Sequence, residues 1–145
     1  MTTYLLWALK LAGIFQLVLC IASWWIPQIL DWKGQMKSWT VLMRQLFMTY
    51  ALYILGSHLC FSFISWFAAD YLLEPQPASF VVSQLLLGFI GLWWTVRLLM
   101  QFVGFDLSQV AKTRFNVLAK HLLSLLFVYL VMVYWGIFIW NFYTV

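Results

Sequence analysis

The chain has 145 residues, of which 66% are hydrophobic and 8% are charged, with a formal net charge of +4. So few charged residues exclude a soluble domain of any size. Four stretches carry no charged side chain, and each is long enough to cross a bilayer, because a membrane helix needs about 20 apolar residues. The sequence predicts an all-α integral membrane protein: one domain over residues 1–145, with four transmembrane helices in a single bundle. The predicted spans are residues 4–26, 41–69, 77–103 and 118–143.

The first span carries one cation, Lys10, about two turns from its start. Its aliphatic stem can return the ammonium group to the lipid headgroups. The alternative is a salt bridge with Asp70 or Glu74, which the alternation of spans places at the same membrane face. Pro27 is predicted to end this span, because proline cannot donate a backbone hydrogen bond.

The second span contains an ionisable side chain deep in the hydrocarbon. His58 lies fourteen residues beyond Arg44, about 21 Å along a helix, and follows Ser57. Ionisable residues at this depth are costly and often functional. We interpret His58 as a neutral imidazole that is hydrogen-bonded between helices. Proton transfer or contact with a ligand is the alternative.

The third span ends with Arg97 and Gln101, which are four residues apart and so share one helix face. Asp106 then stands three residues before Gln109, the spacing of a capping box, and apolar residues follow at helical intervals. This pattern predicts an interfacial helix between the third and fourth helices.

A weak internal repeat relates the second and fourth spans. Residues 41–46 align with residues 117–122, and Tyr53 then aligns with Tyr129 at the same offset. Two related helical hairpins would explain the match. Chance similarity between apolar segments is the competing explanation.

The distribution of cations predicts the orientation of the bundle. Lys33 and Lys37 lie in the first connection and Lys112 in the third, whereas the second connection carries carboxylates without a cation. By the positive-inside rule, both termini face the non-cytoplasmic side. Tryptophans near both interfaces are typical of aromatic belts. The positive charge is explained by this orientation, so nucleic acid is not a predicted partner.

Six polar side chains are predicted at the cytoplasmic end of the bundle. They are Arg44, Gln45, Arg97, Gln101, Lys120 and His121. If their helix faces point inward, they form a basic vestibule suited to a phosphate, a carboxylate or a lipid headgroup. The alternative is that these cations only anchor the helix ends at the membrane surface.

No arrangement of carboxylates, serine, histidine or cysteine in the sequence is typical of a catalytic centre or a metal site, and no cofactor is predicted. The sequence therefore favours a non-enzymatic protein, although it does not exclude an enzyme. One hypothesis is an accessory or interaction subunit that packs against itself or a larger membrane complex. The alternative is a binder or carrier of an anionic lipid or an isoprenoid phosphate. Membrane lipids are predicted partners in both cases.

Overall fold

The computed structural model describes residues 2–29, 31–103 and 114–144. Its helices are α1 (Thr2–Ile29), α2 (Trp32–Gln35), α3 (Val41–Phe67), α4 (Ala69–Leu73), α5 (Phe80–Val103) and α6 (Arg114–Thr144), and a 3₁₀ turn (Met36–Ser38) follows α2. The helices α1, α3, α5 and α6 are long and apolar enough to cross a membrane. The predicted architecture of four membrane-spanning helices is therefore confirmed, and the chain is an integral membrane protein.

The ends of the spans differ from the prediction in two places. Pro27 does not end the first span, because α1 continues through it to Ile29. Proline at this position removes only the hydrogen bond to the carbonyl of Ser23, and the helix continues for just two residues beyond it. The second span stops at Phe67, and a break at Ala68 separates it from α4. The predicted interfacial helix that begins at Asp106 lies outside the described residues.

The long helices pair as two hairpins, α1 with α3 and α5 with α6, and α1 also packs on α6. The first hairpin is closest at Gly13, where a Cβ would lie 3.0 Å from the carbonyl oxygen of Ser62. Contact between α3 and α5 is carried by aromatic rings, since Phe61 meets Phe89 and Trp93 edge-on at centroid distances of 6.0 and 5.6 Å. The relation of the two hairpins as a repeat stays a prediction.

The end of the bundle that carries both termini is closed by α4. Ala69, Leu72 and Leu73 of α4 are all buried. The carbonyl of Leu72 accepts hydrogen bonds from Asn141 Nδ2 at 2.8 Å and from Ser83 Oγ at 3.4 Å. Helices α5 and α6 therefore hold α4 across this end of the bundle.

A chain of buried hydrogen bonds joins three helices below α4. Gln16 Nε2 of α1 donates to the hydroxyl of Tyr134 on α6 at 2.6 Å, and this hydroxyl also pairs with Ser65 Oγ on α3. Ser65 Oγ donates in turn to the carbonyl of Phe61 at 2.7 Å. Gln16, Ser65 and Tyr134 are fully buried. No sequence pattern marks these three residues, because a single amide or hydroxyl in an apolar span has no characteristic spacing.

Candidate functional site

Burial ends at one level in all four long helices. Cys20, His58, Trp94 and Phe127 are the last buried residues on their helices in the direction away from the termini. The ring of His58 stacks on Trp94 with centroids 4.9 Å apart, and Trp94 lies 5.5 Å from Phe127. We call these four residues the floor. The part of the bundle between the floor and the termini is the closed half, and the remainder is the open half.

The open half contains no buried residue at positions 21–29, 41–57, 95–103 or 117–126. Contacts within each hairpin nevertheless continue there. Cys20 Sγ approaches the carbonyl of Leu55 at 3.7 Å, and Gln101 Nε2 donates to Ser124 Oγ at 2.9 Å. The two hairpins therefore separate beyond the floor. We call the space between their inward helix faces, at the membrane face opposite the termini, the chamber.

Three cations lie on the helix faces that point into this chamber. Lys120 is seven residues from the floor residue of α6, and Arg44 is fourteen residues from that of α3. Both spacings are close to whole numbers of helical turns. Arg97 is three residues from the floor residue of α5. Along the helix axes, these spacings place Arg97 about 5 Å, Lys120 about 10 Å and Arg44 about 21 Å from the floor. The sequence predicts a similar depth for all three cations, at the cytoplasmic end of the bundle. The structure instead distributes the cations from the base of the chamber to its mouth.

Arg97 is the cation closest to the floor. Its side chain is half-buried, and its guanidinium carbon lies 6.0 Å from the centre of the Phe127 ring. In the described chain it has neither a carboxylate nor a hydrogen-bond partner. Arg44 differs, because its Nη2 donates to the carbonyl of Met36 at 3.2 Å. Within the residues that the structure describes, the positive charge of Arg97 therefore meets an aromatic ring but no anionic group.

The floor also carries polar atoms without partners. His58 Nε2 and Trp94 Nε1 are buried, and neither makes a hydrogen bond to any described residue. Unsatisfied atoms of this kind are uncommon in proteins and cost about 1–3 kcal/mol each. In place of the predicted interhelical hydrogen bond, His58 makes ring contacts with Trp93 and Trp94. Because Arg97 is one turn from Trp94, these unpartnered groups form one cluster.

The other predicted vestibule residues are not all brought to this cluster. Gln101 donates to Ser124 and, at 3.5 Å, to the carbonyl of Lys120, so it joins α5 to α6 within the open half. Gln45 lies about 140° around α3 from the direction of the floor, and His121 about 120° around α6. Both are exposed and lie on faces that turn away from the chamber.

Lys10 and Ser57, the two remaining polar residues predicted within the membrane, make local contacts. Ser57 Oγ donates to the carbonyl of Tyr53 at 2.8 Å in its own helix. Lys10 lies in the closed half, with its ammonium 5.8 Å from the ring centre of Trp7 and 5.9 Å from that of Trp66. No ion pair joins Lys10 to a carboxylate in the described chain. These contacts hold the cation between two indole rings.

An apolar groove lies between α1 and α3 beside the floor. Its volume is about 300 Å³, and its lining includes Cys20 of the floor together with Leu17, Leu55 and Leu59. Almost no polar surface lines it. A groove of this composition suits a hydrocarbon chain better than a polar ligand.

The arrangement brings cations and unpartnered nitrogen atoms next to apolar helix faces. Such a set of groups can bind an anion that is attached to hydrocarbon. No group of three His, Cys, Asp or Glu side chains in the described ranges could hold a metal ion. No protein-family model, curated protein or solved structure matches the chain. Its function is therefore argued from this geometry.

Proposed function

We propose that this membrane protein binds an amphiphile whose anionic headgroup is a phosphate and occupies the open half. The observation that carries the proposal is Arg97, a half-buried cation next to the floor with no anionic partner in the described chain. Charged side chains within membrane helices are costly and usually pair with another group. A bound phosphate would supply the missing partner.

The charges around the chamber favour an anion over a cation. Arg44 and Lys120 lie on inward faces nearer the mouth, so a phosphate that enters from the membrane surface passes positive groups at successive depths. Asp31, the one described carboxylate near this end of the bundle, accepts a hydrogen bond from the backbone of Gly34 and caps α2. It therefore does not neutralise Arg97.

Arginine is also suited to a phosphate by its geometry. The planar guanidinium can donate two parallel hydrogen bonds to a phosphate, whereas a lysine ammonium acts as a point charge.

The same geometry supports a position for the hydrocarbon part of the ligand. The hairpins separate in the open half, so an acyl or isoprenoid chain can lie between them or in the groove beside Cys20. Both positions continue into the surrounding lipid. This supports an amphiphile as the ligand, in preference to free inorganic phosphate.

Native mass spectrometry of the protein, extracted gently in detergent, tests the proposal. We expect co-purified lipid in the wild type, and about a tenfold loss of it in Arg97→Gln, since hydrogen bonds to charged groups contribute about 1.5–3 kcal/mol. The control is Lys33→Gln, which removes the same charge from α2, outside the chamber. It should retain the lipid. The mass of the extracted lipid distinguishes a phospholipid from an isoprenoid phosphate.

The conservative variant Arg97→Lys separates binding from anchoring. Anchoring of the helix end requires only a cation, so lysine should then behave like arginine. Recognition through paired hydrogen bonds should fail in Arg97→Lys almost as completely as in Arg97→Gln. Equal lipid retention in the wild type and the lysine variant would contradict the proposal.

A second candidate function is that of an interaction subunit. The exposed face of α3, on the opposite side from the chamber, favours it.

A further inference from the structure

The exposed face of α3 differs chemically from those of the other long helices. In the middle of α1, α5 and α6, over residues 11–22, 85–99 and 122–139, every exposed side chain is apolar. The middle of α3 instead exposes Thr49 and Tyr53, with Tyr50 exposed on another face. Gln45, one turn before Thr49, is exposed near the end of the helix, where α6 likewise exposes His121. In its most apolar stretch, α3 also has 17% of its residues buried, whereas the other spans have 22–28%. This helix is therefore the least covered of the four and the most polar on its outside.

Gln45, Thr49 and Tyr53 form one line along the helix. They are spaced by four, and Tyr53 lies twelve residues after Val41, about 18 Å into the helix. None of the three side chains has a hydrogen-bond partner in the described chain. Hydrocarbon offers no such partner, and polar side chains in membranes usually hydrogen-bond across to another helix. Because no described residue supplies these partners, Thr49 and Tyr53 favour a neighbouring helix from outside the described chain.

The same face has the spacing of a helix-packing seam. Leu42, Gln45, Thr49, Leu52 and Gly56 follow one another at alternating intervals of three and four residues, as in helix pairs that cross at a small angle. A Cβ placed on Gly56 would meet no atom within 4 Å, so no residue that the structure describes fills the space beside it. Small residues at such a position let two membrane helices approach closely. We call these five residues the outer seam.

We infer that the outer seam binds the outer seam of a second copy of this chain. Gln45 and Thr49 each carry a group that both donates and accepts hydrogen bonds, so the face is complementary to itself. Both copies have the same orientation in the membrane. A twofold axis along the membrane normal therefore places each residue opposite its own counterpart at the same depth.

The adjacent cation does not oppose this pairing. Arg44 lies about 100° around the helix from Gln45, and its guanidinium donates to the carbonyl of Met36 in the first connection. The two arginines of a dimer would therefore be directed away from the seam. The chamber lies on the inward side of α3, so pairing leaves it accessible.

Disulfide cross-linking in the native membrane tests the inference. In a background with Cys20→Ala and Cys60→Ser, we expect Leu52→Cys and Gly56→Cys to form covalent dimers on oxidation. The matched controls are Tyr50→Cys and Ile54→Cys, which are exposed at the same depth but lie on other faces of α3. They should cross-link at least about fivefold less, because disulfides require Cβ atoms about 4 Å apart. Equal cross-linking at all four positions, or none at the seam, would overturn the inference.

A second measurement tests whether the polar groups hold the dimer. Gln45→Leu combined with Thr49→Val removes the hydrogen bonds and leaves a face that lipid covers well. We expect about tenfold weaker dimerisation, measured by energy transfer between labelled copies in vesicles, because each interhelical hydrogen bond strengthens association about threefold on average and at least two are lost. Unchanged dimerisation would show that the outer seam does not hold the two copies together. Cross-links to a different protein alone would show that the partner is not a second copy of this chain. Lipid retention at Arg97 is a separate readout, so failure of one proposal is distinguishable from failure of the other.

Discussion

At the scale of single residues, the hydroxyl of Tyr134 connects α6 to α1 and α3. It accepts from Gln16 and pairs with Ser65, and all three side chains are fully buried. Removing this oxygen leaves the amide of Gln16 without its acceptor in a region closed to water. Such a loss is larger than the loss of an exposed hydrogen bond, because the orphaned group stays desolvated.

We therefore expect Tyr134→Phe to fold with a free energy of unfolding lower by about 0.6–1.7 kcal/mol. This free energy is measured by reversible unfolding in mixed micelles, with the helix content monitored by circular dichroism. Tyr71→Phe is the matched control, because Tyr71 is 67% exposed and its hydroxyl has no described partner. A loss of equal size in both variants would show that the hydrogen-bond chain contributes nothing specific.

Sequence reasoning reached some of these residues and missed others for a physical reason. Arg97 was recognisable because a charge near a membrane span is costly wherever its side chain points. The absence of a described partner for Arg97 was not predictable, because it depends on which side chains the neighbouring helices place beside this residue. The depth of His58 was deduced from the rise per residue, but its stacking on Trp94 depends on the rotation of α3 relative to α5. Depth alone predicts Gln45 in the vestibule, although the rotation of α3 turns it outward.

At the scale of helices, the α1–α3 contact depends on a missing side chain. A Cβ at Gly13 would lie 3.0 Å from the backbone oxygen of Ser62 and 3.3 Å from the Cβ of Ser65. Backbone atoms of a packed helix cannot move aside as the end of a flexible side chain can. Ser62 Oγ also donates to the carbonyl of Gly13 at 2.7 Å, so separation of the helices would stretch this bond.

We expect Gly13→Ala to lower the free energy of unfolding by about 1–3 kcal/mol, as overpacking typically does. The control is Gly136→Ala on α6, where a Cβ would meet no atom within 4 Å. Alanine should be neutral or stabilising there by up to about 1 kcal/mol, because it favours a helix more than glycine does. Melting of both variants in detergent gives the comparison. An unchanged free energy of unfolding in Gly13→Ala would contradict the close packing of α1 on α3 at this position.

The four spans were predictable because length and hydropathy alone determine whether a helix can cross a bilayer. The short helices α2 and α4 could not be predicted in this way. The carboxylate of Asp31 accepts from the backbone of Gly34 at 3.2 Å to begin α2, and such a cap is weak evidence without its context. The break at Ala68 follows from tertiary contacts, since α4 is held by Asn141 and Ser83 from distant parts of the chain.

At the scale of the whole molecule, the chamber opens on the face that carries the first connection, and the termini lie at the other end. The excess of cations at the chamber face predicts that this face is cytoplasmic. In a chain without Cys20 and Cys60, Lys33→Cys should resist a membrane-impermeant thiol reagent in intact cells, and Gln76→Cys should react. Permeabilised cells should label both positions. Labelling of Lys33→Cys but not Gln76→Cys in intact cells would reverse the orientation.

The unequal burial of the two halves sets how different parts of the backbone move. Local opening costs least free energy where buried contacts are few, so the helix segments beyond the floor should open without the rest of the bundle. Amides near Gln16 and Tyr134, in contrast, should exchange their hydrogens only when the whole bundle unfolds. A ligand held between Arg97 and Lys120 would restrain α5 against α6 and slow exchange in the loose segments alone. The pattern of amide exchange would then report occupancy of the chamber in the unlabelled protein.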